Sequence, residues 1–281
     1  MDYIFYLFTF VFGALLGSFL NVVIYRYNTG ITILGRSFCF SCRKQLTWFE
    51  LFPILSFLFL GGKCRHCKSR IAWQYTIVET IMGAISSLIF WKLGGTQSFI
   101  SKVAGASVDW EWLLYVAILF VIFGLLVAIS VYDFKHKIIP NYWAYSFAAV
   151  ALLRLLFLPA TFSVSPTLWD FLAGPLLALP FLCLNVFSGG RWMGLGDAKL
   201  TLGLGWFLGI REGIVAIVLA FWAGAIFGVT LILLGKIATW SVFRHRTTMK
   251  SELPFAPFLI FGIFLVFFVP SILDIVTFWM E

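Results

Sequence analysis

Four cysteines in the first quarter of the chain have the spacing of a metal site. Cys39 and Cys42 form one Cys-x-x-Cys pair, and Cys64 and Cys67 form a second. Each pair places two thiolates on one side of a tight turn, and Zn²⁺ prefers four such donors in a tetrahedron. The two pairs therefore predict a structural Cys₄ zinc site, with two disulfides as the alternative.

Two aspartates lie at the edges of apolar segments, where a carboxylate is energetically costly. Asp133 closes one such segment, and Asp197 opens another within Gly194-Leu-Gly196-Asp197. Two carboxyl groups a few ångströms apart in a low dielectric share one proton and titrate as a pair. One can then take a proton from water while the other polarises a scissile carbonyl, as in aspartic proteases. The spacing alone also allows both to be helix-end charges, with the glycines serving only a turn.

The elements that position these residues must lie mostly in lipid. The chain has 281 residues, of which 62% are hydrophobic and 11% are charged, and its mean hydropathy is +1.00. So few charges cannot solvate the surface of a globular fold. The composition also excludes a disordered tail, a collagen repeat and a disulfide-rich secreted domain. We therefore expect an all-α polytopic membrane protein.

About eight apolar segments are predicted to span the membrane. A spanning helix needs about 20 mostly apolar residues, and all the segments except a Gly-rich one at 200–210 approach that length. The predicted spans are 3–25, 73–91, 112–132, 138–159, 171–190, 200–210, 213–235 and 253–273. Glu79 lies in the second span, and Arg154 lies close enough to the end of the fourth for its side chain to reach the interface. The first span is not expected to be a cleaved signal, because it lacks a basic n-region.

The basic residues predict the orientation of these spans. If segment 200–210 crosses the membrane, most of the 20 Lys and Arg residues lie on one side, which is then the cytoplasmic side. Both termini lie outside, and both aspartates lie at the cytoplasmic boundary. The cysteines also lie in the reducing cytosol, which favours zinc over disulfides. Because the net charge of +8 is explained by orientation, we expect no nucleic-acid partner.

Several motifs, in this order, resemble the bacterial type IV prepilin peptidases, a bifunctional family of GxGD membrane aspartyl proteases and N-methyltransferases. The motifs are Gly17-Ser-Phe-Leu-Asn-Val-Val-Ile-Tyr-Arg26, the two Cys pairs, Glu50, Gly61-Gly62-Lys63-Cys64, Val78-Glu79, Asp133 with Ile139-Pro140-Asn141, Gly194-Leu-Gly196-Asp197-Ala-Lys199 and Pro254-Phe-Ala256-Pro257-Phe258. The resemblance covers nearly the whole chain. Trp192, Ala256 and Phe258 depart from the usual family residues, and none of them is expected to touch the aspartates.

The resemblance implies a peptidase in the bacterial inner membrane. Asp133 and Asp197 would cleave the basic leader of type IV prepilins or pseudopilins on the cytoplasmic side, just after the terminal glycine of the leader. The supporting residues would be Gly194, Gly196, Lys199 and Pro140. The implied domains are a first transmembrane helix in 1–25, a cytosolic zinc module in 26–72 and a peptidase core of seven further helices in 73–281.

The resemblance also implies a second activity, methylation of the new N-terminal amine with S-adenosylmethionine. The candidate residues for it are Glu50, Gly61, Gly62 and Glu79. Residue chemistry alone does not locate a site for the methyl donor.

Two other interpretations of the sequence stay open. A presenilin-like GxGD intramembrane protease would fit Tyr132-Asp133, but such enzymes lack a cytosolic Cys₄ module. A non-enzymatic, zinc-stabilised transporter or scaffold would use the aspartates to bind ions or cap helices. Transport predicts ionisable groups near the bilayer midplane and two related half-sequences, and the chain has neither feature.

Overall fold

The protein is built from α-helices in its computed structural model, which describes residues 2–33, 35–103, 108–157, 166–237, 254–269 and 271. The helices are α1 (Asp2–Arg26), α2 (Leu55–Phe59), α3 (Gln74–Lys92), α4 (Gly95–Val103), α5 (Trp110–His136), α6 (Asn141–Phe157), α7 (Leu168–Ser188), α8 (Leu195–Leu208), α9 (Ile210–Ile237) and α10 (Ala256–Phe268), and a 3₁₀ helix covers Trp48–Leu51. Over these residues, β-structure is limited to two isolated bridges, Phe38 with Gln45 and Lys63 with Arg70. The prediction of an all-α protein is confirmed.

The apolar helices make this a multi-pass membrane protein. Among the described residues, α1, α5, α7 and α9 are long and apolar enough to cross a membrane. α3 and α4 pass the same test only as a pair, bent by 75°, which is either a broken span or a re-entrant loop. The bend follows from the positive φ angles of Gly94 and Gly95, and the pattern of apolar runs did not predict it. The shorter helices α6, α8 and α10 lie at three other predicted spans, and part of the last predicted span, 253–273, lies outside the described residues.

The chain forms two compact units, Met1–Ala128 and Ile129–Glu281. In the first unit, α1 packs closely along α3 because α1 presents glycines to it. A Cβ atom on Gly17 would lie 2.9 Å from the Cα atom of Glu79. The contact is also polar, since the Ser86 hydroxyl donates a 2.7 Å hydrogen bond to the Thr9 carbonyl.

In the second unit, α8 is enclosed by α6 and α7. Glycines again allow the close approach: a Cβ atom on Gly203 would lie 2.5 Å from the Phe147 ring of α6, and one on Gly205 would lie 2.5 Å from the Ala173 carbonyl oxygen of α7. With 14 residues, α8 is about 21 Å long, which is shorter than the bilayer core of about 30 Å.

A buried arginine terminates α8. The Arg154 guanidinium donates a 3.0 Å hydrogen bond to the Phe207 carbonyl and lies over the Phe207 ring. A cation is favourable at the negative end of a helix dipole, where the last carbonyls lack helical partners. The expectation that Arg154 reaches the membrane interface is therefore wrong, because its side chain is buried against the end of α8.

We expect Gly205→Ala to lower the free energy of unfolding by about 1–3 kcal/mol, because its new methyl group would overlap the α7 backbone. The matched control is Gly124→Ala in α5, where an added Cβ atom meets open space, so that alanine's higher helix propensity should leave stability unchanged or raised. Thermal unfolding of both variants in detergent measures the difference. Equal melting temperatures would contradict the packing of α8 against α7.

Candidate functional site

Asp133 is held at the end of a membrane helix by a tight chain reversal. It lies in the last turn of α5 and is 5% exposed. The helix stops at Lys137, which has a left-handed φ of 55° and donates its N–H to the Asp133 carbonyl at 2.7 Å. Pro140 follows and has no N–H to continue the helix. The backbone N–H of Ala256, the first residue of α10, lies close to the Asp133 carboxyl group.

Asp197 lies in the first turn of α8 and is 9% exposed. Its carboxyl group lies close to the backbone N–H of Gly194. The Asp197 N–H donates to the Gly194 carbonyl at 3.2 Å. The first amides of a helix lack helical partners, and the positive end of the helix favours a carboxylate there.

The loop between α5 and α6 brings the two aspartates together. Ile139 packs against Gly196, where a Cβ atom would lie 2.9 Å from the Cβ atom of Ile139. Lys199 donates a 2.8 Å hydrogen bond to the Asn141 side chain at the start of α6. As a result, the Asp133 and Asp197 carboxyl groups are close enough to interact electrostatically.

The residues proposed to support the aspartates therefore fall in one cluster, and they act through the backbone and through packing. Gly194 supplies an amide, Gly196 allows the close approach, Pro140 is buried beside Ile139, and Lys199 ties α8 to α6. Electrostatic repulsion between two buried carboxyl groups favours one protonated and one ionised member, and such a pair can act on a water molecule.

The expectation that Ala256 does not touch the aspartates is wrong. Its amide reaches Asp133 because Ala256 begins α10, and the first amides of a helix point away from it without helical partners. The side chain at this position is not involved, so residue identity carried no signal. The Pro-Phe-Ala-Pro pattern just before an apolar run does indicate a helix start.

The four paired cysteines form a cluster in the first unit. One sulfur atom from each of Cys39, Cys42, Cys64 and Cys67 lies within 4.8 Å of the other three, and the Sγ atoms of Cys39 and Cys67 are 3.8 Å apart. A tetrahedral site with metal–sulfur bonds of about 2.3 Å has sulfur atoms about 3.8 Å apart. The thiols are free and fit a tetrahedral metal ion.

Both cysteine turns have the same backbone geometry. Arg43 and Lys68, each directly after the second cysteine of its pair, have left-handed φ angles of 57° and 58°. Their amides donate to the carbonyls of Cys39 and Cys64 at 2.8 and 3.0 Å. The N–H of Cys42 lowers the pKa of the Cys39 thiol to about 6, which favours the thiolate that a metal binds.

Ser69 is a neighbour of the cluster that the cysteine spacing did not indicate. Its hydroxyl lies 3.0 Å from the sulfur of Cys67 and 3.9 Å from that of Cys39. The hydrogen bond to Cys67 lowers the pKa of the Cys67 thiol. A serine two residues after a ligand is too common to be recognised as part of a metal site from spacing alone.

A cavity of about 520 Å³ separates the cysteine module from α1 and α3. Glu50 and Glu79 both line it, together with the stacked rings of Tyr25 and Tyr75, whose centroids are 4.9 Å apart. The volume is typical of a small-molecule site. Over the described residues, the Glu50 Oε1 atom is buried without a hydrogen-bond partner.

Gly61 and Gly62, the other two predicted methyltransferase residues, lie outside the cavity lining. Gly61 and Gly62 end α2 with left-handed φ angles of 58° and 66°. Their amides donate to the carbonyls of Leu58 and Phe57 at 3.2 and 2.9 Å, as in a helix C-cap. They shape the turn that leads to Cys64, and neither belongs to the residues that line the cavity.

Comparison with known proteins identifies relatives over most of the chain. Residues 11–93 match the Bacterial Peptidase A24 N-terminal domain, and residues 120–229 match the Type IV leader peptidase family. A prepilin leader peptidase/N-methyltransferase of Bacillus subtilis is 32% identical, with 88% of each chain covered. Proteins of the same name from Vibrio cholerae and Pseudomonas aeruginosa are 29% and 28% identical, covering 75% and 91% of this chain and 80% and 87% of their own lengths. No solved structure matches the chain.

We expect Ser69→Ala to weaken metal binding by the cysteine cluster roughly 10-fold, because the hydroxyl stabilises a ligand thiolate. Competition of the purified protein against a chromophoric chelator, with Zn²⁺ and with Cd²⁺, measures the affinity. The control is Ser37→Ala in the same module. The Ser37 backbone carbonyl accepts a hydrogen bond from the Leu46 N–H, and this bond does not depend on the Ser37 side chain. An unchanged affinity in Ser69→Ala would show that the hydroxyl does not act on the metal site.

Proposed function

The chain belongs to the type IV leader peptidase family, and on this premise we propose that Asp133 and Asp197 cleave the leader from type IV prepilins or pseudopilins. The observation that carries the proposal is that these two buried carboxyl groups, at the end of α5 and the start of α8, lie close enough to interact electrostatically. The family match also favours cleavage over an ion-binding or scaffold role, and the Cys₄ cluster favours a prepilin peptidase over a presenilin-like enzyme.

The proposed reaction is a hydrolysis in which the two carboxyl groups have different roles. The ionised one takes a proton from a water molecule, whose oxygen attacks the carbonyl carbon of the scissile peptide bond. The protonated one donates a hydrogen bond to the carbonyl oxygen and stabilises the tetrahedral intermediate. The carbon–nitrogen bond then breaks, and the leaving amine takes a proton from the pair.

The proposed setting is the cytoplasmic side of the bacterial inner membrane, with both termini outside. A prepilin with its apolar helix in the bilayer and its basic leader in the cytoplasm has its scissile bond at the membrane interface. Asp133 in the last turn of α5 and Asp197 in the first turn of α8 suit a bond at that level. With this orientation, 26–72 is a cytoplasmic module and 73–281 contains the peptidase core.

We expect Asp133→Asn and Asp197→Asn each to abolish leader cleavage, because an amide can neither take a proton from water nor share one. The matched control is Asp170→Asn at the start of α7, whose carboxylate caps Thr167 on the exposed surface. Mass spectrometry of a prepilin incubated with each variant in liposomes measures cleavage, and thermal unfolding checks that the variants fold. Turnover by a folded Asp197→Asn protein would contradict the assignment.

We propose that the Cys₄ cluster binds a structural Zn²⁺. The support is the sulfur geometry and the surroundings: residues 26–72 carry eight basic residues and a single acidic one, Glu50, which offsets the negative charge of a zinc tetrathiolate. Four protein ligands leave no open position on the metal for a substrate. In so short a segment, zinc binding would supply much of the free energy of folding.

We also propose that the cavity beside this module is the site of N-methylation. When bound, S-adenosylmethionine would supply a methyl group on a positively charged sulfonium. Glu50 and Glu79 give the cavity two carboxylates to hold such a cation, and the stacked rings of Tyr25 and Tyr75 give it an aromatic wall. A carboxylate can also accept the proton that the substrate ammonium must lose before its nitrogen bonds to the methyl carbon.

We expect Glu50→Gln to lose methyl transfer while leader cleavage continues, because the change removes a cavity charge and leaves the aspartates intact. Glu111→Gln, on the exposed first turn of α5, is the control and should keep both activities. Product masses with and without S-adenosylmethionine separate the two reactions in one experiment. Normal methylation by Glu50→Gln would contradict a role for this carboxylate in the cavity.

A further inference from the structure

We propose that residues 48–59 of the cysteine module, which we call the interfacial segment, insert into the lipid of the bilayer beside α3. The segment comprises the 3₁₀ helix Trp48–Leu51, a turn and α2. This inference goes beyond the proposed function and does not depend on it. It also refines the expectation that all of 26–72 is cytosolic, because this part of the module would lie at membrane depth.

The first observation is the level at which the segment meets α3. The Ile54 N–H donates a 2.8 Å hydrogen bond to the Oε2 atom of Glu79, five residues after α3 begins. At about 1.5 Å per residue, and with helical side chains leaning towards the N-terminus, the carboxylate lies about one turn inside α3. The turn of the segment therefore meets α3 near the start of that membrane helix.

A second contact fixes the same level. The Phe57 ring of α2 lies 4.8 Å, centroid to centroid, from the ring of Trp73, the residue just before α3. Trp73 is exposed and follows Arg70, the last charged residue before the span. Exposed tryptophans and basic residues mark the membrane interface, so α2 lies at or below that interface.

The third observation is the surface that the segment presents. Trp48 is 66% exposed, Leu58 63% and Phe59 86%, and Phe49, Phe52 and Leu55 are exposed as well. These six exposed large apolar side chains within twelve residues would favour aggregation in water. Glu50 is the single charged residue of the segment, and its Oε2 atom accepts hydrogen bonds from the N–H and the hydroxyl of Thr47.

The backbone of the segment is also suited to lipid, where unpaired amides are costly. The amides of Glu50, Leu55, Ser56 and Leu58 donate to carbonyls of the segment or of Thr47. Ile54 has φ 61° and ψ −52°, which is strained for a β-branched residue. In this conformation the Ile54 N–H points to Glu79, and the buried carboxylate accepts the hydrogen bond that no carbonyl of the turn accepts.

Charge favours lipid as the occupant of this patch. Basic residues flank the segment on both sides, and 26–72 has no acidic residue outside it. The flanking basic residues are Arg43, Lys44, Lys63, Arg65, Lys68 and Arg70. They suit the anionic headgroups of the cytoplasmic leaflet, while the aromatic and leucine side chains suit the boundary between headgroups and acyl chains.

The test uses the fluorescence of Trp48, isolated as the difference between the wild-type protein and Trp48→Phe in liposomes of phosphatidylcholine and phosphatidylglycerol. The liposomes contain lipids brominated either near the headgroup or near the chain end, and acrylamide serves as the aqueous quencher. Trp222→Phe provides the matched control, because Trp222 lies in the middle of α9 and is 68% exposed.

We expect the Trp48 signal to lose most intensity with bromine near the headgroup and the Trp222 signal to lose most with bromine near the chain end. Acrylamide should quench neither strongly. Strong quenching of Trp48 by acrylamide would overturn the proposal and place the segment in water. A Trp48 signal that neither bromine nor acrylamide quenches would also overturn it, because the patch would then be covered by protein, such as a second copy of this chain.

Discussion

The cost of placing a carboxyl group in a low dielectric is the constraint on which the rest of this structure depends. Each of three buried carboxyl groups lies beside a backbone amide: Glu79 accepts a hydrogen bond from Ile54, Asp197 lies close to the amide of Gly194, and Asp133 lies close to that of Ala256. Amides at helix starts and in strained turns lack helical partners, so they can interact with a carboxylate without disrupting a helix. Unpaired, each group would cost several kcal/mol.

This requirement determines the arrangement of the second unit. α8 must begin where α5 ends, and its first turn must meet the loop that carries Ile139. The glycines at 196, 203 and 205 allow that approach, because an alanine methyl at any of them would overlap a neighbouring atom. Arg154 then terminates α8 inside the protein. A short helix is stable there because its two ends are satisfied by an acid at the start and a base at the end.

In the first unit the same principle ties a small module to the membrane helices. The module has little apolar core of its own, and its four thiols are held by two turns of equal geometry. Glu79 joins the module to α3 through Ile54, and the cavity that forms between them is lined by Glu50 and Glu79. The cysteine cluster, the buried carboxylate and the cavity are therefore parts of one arrangement.

The sequence by itself determined the membrane character of the helices, and it predicted the residues that would carry chemistry. The spacing of the cysteines is a local property of the sequence, and long apolar runs indicate directly which segments lie in lipid. The start of α8 was misplaced at residue 200 because a search for charge-free runs excludes Asp197 and Lys199, which belong to its first two turns. The tertiary structure alone decided that Ala256 reaches Asp133, that Arg154 reaches Phe207, 53 residues away, and that Ile54 reaches Glu79. These contacts use backbone groups, which every residue has, so no side-chain pattern could reveal them.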